Sequence, residues 1–190
     1  MRRLVTTLLA TAAVAGLAAC GTAPRTGTSN IAATVNGTAI PMAAYTTLSD
    51  SLRQRIERTT GSLDLKTSSG AQRLAQLQGT ALRQLVGSVV VDQLAAAHHV
   101  TVSDAEVDHA TAGVASALGG QEQLALRLGD NGVSPDDARQ AIRTSLLVQH
   151  LRAADPNWDT TYATALAAAT VVAYAPPCEA SHVYPACLGG

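Results

Sequence analysis

The chain has 190 residues, 47% of them apolar but only 3% aromatic and none phenylalanine. It is long enough for one domain with a real core, and that core must be built from Leu, Val, Ile and Ala, which suits close-packed helices better than a β-sandwich. Formal charge is −1, and the chain without residues 1–19 has eleven basic against fourteen acidic side chains, a balance that argues against nucleic acid as a partner.

Met1-Arg2-Arg3 opens the chain as a short positive region. Residues 4–16 follow as an apolar stretch too short to span a bilayer comfortably, and Leu17-Ala18-Ala19-Cys20 comes next. This run resembles a bacterial lipoprotein signal peptide with its lipobox: a large apolar residue three places before the cysteine, small residues between, and a thiol acylated before the cut. The resemblance implies a signal peptide over 1–19 and a mature chain that starts at lipidated Cys20. It also implies anchoring to a cell membrane on the extracytoplasmic face, with the covalent lipid as the one non-protein group and no other cofactor. An ordinary secretory peptide, cut at an Ala-x-Ala-like site with Cys20 incidental, is the alternative. Residues 20–30 are small, polar and turn-forming and read as a flexible tether, with a reach of roughly 17 to 19 Å for ten residues.

The folded part is expected over 31–175. Residues 31–35 can be extended, Asn36-Gly37 suits a tight turn with positive φ, and Pro41 suits the first turn of a helix over about 41–59. On that helix Tyr45, Leu48, Leu52 and Ile56 share a stripe. Residues 61–70 break the pattern, and a long helix over about 71–98 carries a wide apolar face that includes Leu82, Val86 and Val90. Ser103 with Glu106 three residues later predicts a capping box, and Gly119-Gly120 a stop. A short helix over about 121–130 ends at Asn131-Gly132. Ser134 and Pro135 then start another, long helix. Beyond Pro156 a last helix over about 159–169 leads into "TVVAYAPP", a short strand that could pair with residues 31–35.

Cys178 and Cys187 form an even pair and are expected to bond, given a compartment outside the cytoplasm, closing a tail over 176–190. A loop of that length contributes about 2.5 to 3 kcal/mol in the chain-entropy model. A zinc site using His182 with both thiolates is the rival. It lacks a fourth clear ligand and the usual Cys-x2-Cys spacing.

"ATVNGTAIPMAAY", "LVGSVVVDQLAAAHHVTVSDAEVDHA" and "LALRLGDNGVSPDDARQAIRTSLLVQHL", in that order, resemble the N-terminal chaperone domain of SurA and its PrsA-like and PpiD-like relatives over about residues 31–155. The resemblance implies a mainly α fold with a short N-terminal strand, and partners that are unfolded or nascent secreted polypeptides, held rather than transformed. In better-known relatives a parvulin prolyl isomerase domain follows. "CEASHVYPAC", with Ser181-His182, resembles the opening strand of such a domain, as a remnant or by chance, but only eight residues follow His182. Isomerase activity is therefore not expected.

Other chemistry finds no footing. His98, His99 and His109 lack a carboxylate pattern that would fix a metal, so no metal site is expected, and Asp136-Asp137 is explained by its place at a capped helix start. No nucleophile-elbow, zinc-protease or phosphate-loop motif is present, so no catalytic residue is assigned. Arg53, Arg55 and Arg58 read as a solvated face tempered by Asp50 and Glu57, with anionic lipid as the other possibility. The expectation is a membrane-anchored chaperone-like lipoprotein with an apolar groove lined by Met42, Tyr45, Leu48, Leu82, Val86 and Val90. A core role for each is the competing reading. A module dedicated to one cell-envelope partner is the alternative function.

Overall fold

Asn36 and Gly37, at φ +50° and +84°, turn the chain back on itself between β1 (Ile31–Val35) and β2 (Thr38–Pro41). Both central residues of this two-residue hairpin loop need positive φ, which is why the Asn-Gly pair stands there. The computed structural model describes residues 30–178 and 184–188. Its helices are α1 (Met42–Thr60), α2 (Ser68–Ala97), α3 (Asp104–Leu118), α4 (Gln121–Asp130), α5 (Pro135–Ala154) and α6 (Trp158–Ala168), and β3 (Val171–Ala173) follows α6. The domain is mainly α, and its three strands form one antiparallel sheet in the order β2-β1-β3.

The pairing of the first and last strands agrees with the sequence reading: Ala33, Thr34 and Val35 face Ala173, Val172 and Val171. Strand β2 departs from it, because Pro41 closes a four-residue edge strand instead of occupying the first helical turn. Proline is tolerated at a sheet edge, where its missing N–H costs no ladder bond. Helix α2 starts at Ser68, three residues before the expected position, because the Thr67 hydroxyl accepts from the Gly70 N–H and caps the turn.

The other starts follow their local signals. Ser103 and Glu106 form a reciprocal capping box on α3, and Ser134 caps α5 through the Asp137 N–H with Pro135 in the first turn. The acidic start of α3 faces basic residues of α5, where Asp104 pairs with Arg143, Asp108 with Arg139, and Glu106 lies 3.4 Å from His150.

Two apolar clusters share the length of α2. One joins the sheet to Tyr45, Ala81, Leu82, Val86, Val90, Ala175 and Cys178; the other gathers Val91, Ala95, Val107, Leu147, Leu151 and Trp158 between α2, α3, α5 and α6. Leu94 and Tyr162 pack against both. Each fully buried Leu or Val contributes about 1.5 to 3 kcal/mol by leaving water.

Candidate functional site

The starting point of the site is a shortage of side-chain volume. Ala44 on α1, Gly87 on α2 and Ala141 on α5 stand where larger residues would fill the space between helices. Helices α1 and α5 both pack on α2, and between them runs an open groove of about 820 Å3. Leu48, Leu85, Val91 and Leu166 give it apolar walls, Tyr162 and Tyr184 add aromatic surface, and Gln140 and Thr144 of α5 add neutral polar groups.

The groove has a built frame. Ser51 of α1 donates to the Asn131 carbonyl at 3.1 Å, joining α1 to the turn before α5. Tyr162 is held from the other side by Trp158, with ring centroids 5.7 Å apart in a stacked arrangement. Tyr184 is half-buried, and burial raises its phenol above the ordinary value of 10.0, so the ring enters the groove as a neutral amphipathic surface.

Charged side chains line the groove as well: Arg55 from α1, Arg83 from α2 and Asp137 from α5. The Asp137 carboxylate accepts from the Ser134 hydroxyl at 2.6 Å and is engaged at the helix start. Arg83 donates to the Thr80 hydroxyl at 3.2 Å.

Of the six residues expected to line a groove, Leu48 does so. Leu82, Val86 and Val90 are at most 2% exposed and belong to the closed core, as does Tyr45, whose hydroxyl donates to the Pro176 carbonyl at 2.5 Å. Met42 is half-buried against the same core and is not part of the groove. The reason is geometric: the broad apolar face of α2 is covered by the sheet and by α1, and the groove opens beside that face. The walls supplied by α5 and α6 carry no apolar periodicity strong enough to mark them in advance. The one available signal was Gly87, a glycine inside an otherwise apolar helical run.

Cys178 and Cys187 are at disulfide distance, with their sulfurs paired and Cα atoms 5.0 Å apart. Cys178 is fully buried, and Leu188 packs on α2 beside Gly79, so these two residues are docked on the body of the domain. Cys20, Ser181 and His182 lie outside the described residues. His98, His99 and His109 are exposed, and among the described residues no group of three or more His, Cys, Asp or Glu is placed to hold a metal ion. No described helix is long and apolar enough to cross a membrane.

A family model described as the SurA-like N-terminal domain matches residues 1–152. No parvulin domain is found. No curated protein and no solved structure matches the chain. The matched span stops before α6 and β3, so Tyr162, Leu166 and the strand that completes the sheet come from beyond it.

Proposed function

Because the chain belongs to the family of SurA-like N-terminal domains, whose general role is chaperone-like or protein-interacting, we propose that it holds unfolded exported polypeptides in the groove between α1, α2, α5 and α6. The observation that carries this reading is the groove itself, which is open, walled by Leu48, Leu85, Val91 and Leu166, and large enough to accept apolar side chains of an extended segment. Most of its exposed lining surface is apolar, which suits broad selection by apolar contact better than recognition of one sequence. Tyr162 and Tyr184 are the aromatic surface a client meets there, and release needs no chemical step.

On this reading the chain acts without isomerase chemistry. Acylated Cys20 would hold it at the extracytoplasmic face of the membrane, with residues 21–30 as a short leash. Two or more acyl chains give stable attachment where one is marginal. The paired cysteines suit an oxidising compartment.

The test is light scattering from an unfolded secreted protein as it is diluted from denaturant, with and without the chain. Suppressed aggregation at near-stoichiometric ratios, repeated with an unrelated client, is the expected result. Absence of suppression with both clients refutes the holding role and favours a module dedicated to one envelope partner.

A further inference from the structure

Arginine is abundant in this domain, and several arginines are spoken for. Arg53 pairs with Asp50 and Glu57, Arg139 with Asp108, Arg143 with Asp104 and Arg152 with Asp159. Arg55 and Arg83 make no ion pair with any carboxylate among the described residues, yet both are exposed on the groove. They come from different helices, one turn of α1 and one of α2, and apolar walls lie beside them. A guanidinium in such a place can stack its flat face on apolar or aromatic surface while its N–H fork takes both oxygens of a carboxylate. Among the described residues no carboxylate pairs with either arginine; the groove's own acid, Asp137, accepts from the Ser134 hydroxyl and is in no ion pair there, so the lining carries two cations against one anion.

We propose that the groove selects apolar segments that carry a carboxylate, an Asp or Glu side chain within the segment, with Arg55 and Arg83 as its receivers. The inference rests on the reading of the groove as a polypeptide-holding site and adds its charge preference. Charge complementarity chooses the occupant: a segment bearing Lys would meet two unpaired like charges, a neutral one would leave both arginines to water, and an acidic one satisfies them. Ion pairs at a partly open site are modest, so the preference tunes affinity and leaves the apolar contacts to supply most of it.

The experiment measures anisotropy of three fluorescein-labelled twelve-residue peptides of Leu, Val and Ala, identical except for two Glu, two Gln or two Lys, titrated with the full chain. The Glu peptide is expected to bind roughly threefold to tenfold tighter than the Gln peptide at low salt, with the ratio falling toward one at high salt. In the Arg55→Gln/Arg83→Gln double variant that ratio falls to about one, whereas Arg73→Gln, a change at an exposed arginine outside the groove, keeps it. Equal binding of the Glu and Gln peptides overturns the charge preference and leaves the holding role intact. Binding of none of the three overturns both. If the Glu preference is missing and the chain instead binds phosphatidylglycerol vesicles in a way the double variant loses, the two arginines serve a membrane surface and the proposal fails.

Discussion

The hydroxyl of Tyr162 lies 2.7 Å from the point where a β-carbon on Gly87 would stand, so α6 lays its tyrosine directly on the backbone of α2. That contact sets the position of an aromatic wall of the groove, and it exists only because residue 87 has no side chain. Gly87→Ala is expected to push Tyr162 outward and to destabilise the domain by about 1 to 3 kcal/mol, the usual range for overpacking. Urea unfolding followed by emission of Trp158, the only tryptophan and a stacking partner of Tyr162, measures the loss directly. Gly87→Ala combined with Tyr162→Phe should recover part of it, and an additive double variant would show that the two residues do not meet.

Core and groove residues should separate cleanly by experiment. Leu82→Ala removes a fully buried side chain and is expected to cost about 2 to 5 kcal/mol. Gln140→Trp places an indole in the groove from an exposed position on α5 and should leave stability within about 0.5 kcal/mol while weakening suppression of client aggregation severalfold. Unfolding midpoints and light scattering on both variants give the comparison. Full suppression by Gln140→Trp would mean that clients bind elsewhere.

The start of α3 predicts a pH dependence. Hydrogen bonds from the Ser103 backbone N–H and hydroxyl hold the Glu106 carboxyl below its ordinary value of 4.5, aided by the nearby His150 when that ring is charged. A carboxyl lowered in the folded state binds protons more readily when unfolded, so its contribution is fully present above the ordinary value and disappears as pH falls through the folded one. Glu106→Gln should therefore reduce stability near neutral pH and flatten the acid limb of the stability curve below about pH 5. Ser103→Ala should cost about 1 kcal/mol near neutral pH, as for other lost helix caps. Chemical denaturation between neutral pH and pH 3 checks both, and an unchanged acid limb in Glu106→Gln would exclude the capping box as its source.

Reduction of the Cys178–Cys187 pair should lower stability by about 2 to 4 kcal/mol. Because Tyr184, which borders the groove, sits between these cysteines, the same treatment should weaken client holding in parallel. Denaturation and aggregation assays with and without reductant test the link. Lost stability with unchanged holding would show that Tyr184 contributes nothing to the client site.

Helices were legible in the sequence because their signals are local. Ser103, Ser134 and Pro135 announce helix starts that the structure keeps within a residue, and the apolar period of α2 correctly places Leu82, Val86 and Val90 on an inward face. Periodicity reports which way a side chain faces, however, and says nothing about whether the space it faces is filled. That is why those three residues are core while the groove opens beside them. Beside Leu48, Leu85, Val91 and Leu166, the rest of its lining includes Ala44, Gly87, Ala141, Gln140 and Thr144, whose small or polar side chains leave no hydrophobic signature. Strand β2 was equally hidden, since four residues with only Ile40 buried become a strand through pairing with β1 rather than through their own preference.

The antiparallel pairing of β1 with β3 has a mechanical consequence. The start of β1 lies beside the end of β3, where the Tyr174 and Ala175 N–H groups both donate to the Ala32 carbonyl. The chain therefore enters and leaves this sheet at the same end. Tension applied across residues 30 and 178 would load those hydrogen bonds one after another, as a zipper is opened, instead of shearing them together. A chain tugged from its two ends would yield first at the edge strand β3, uncovering one side of Ala32, Ala33 and Val35 before the helices on α2 come apart.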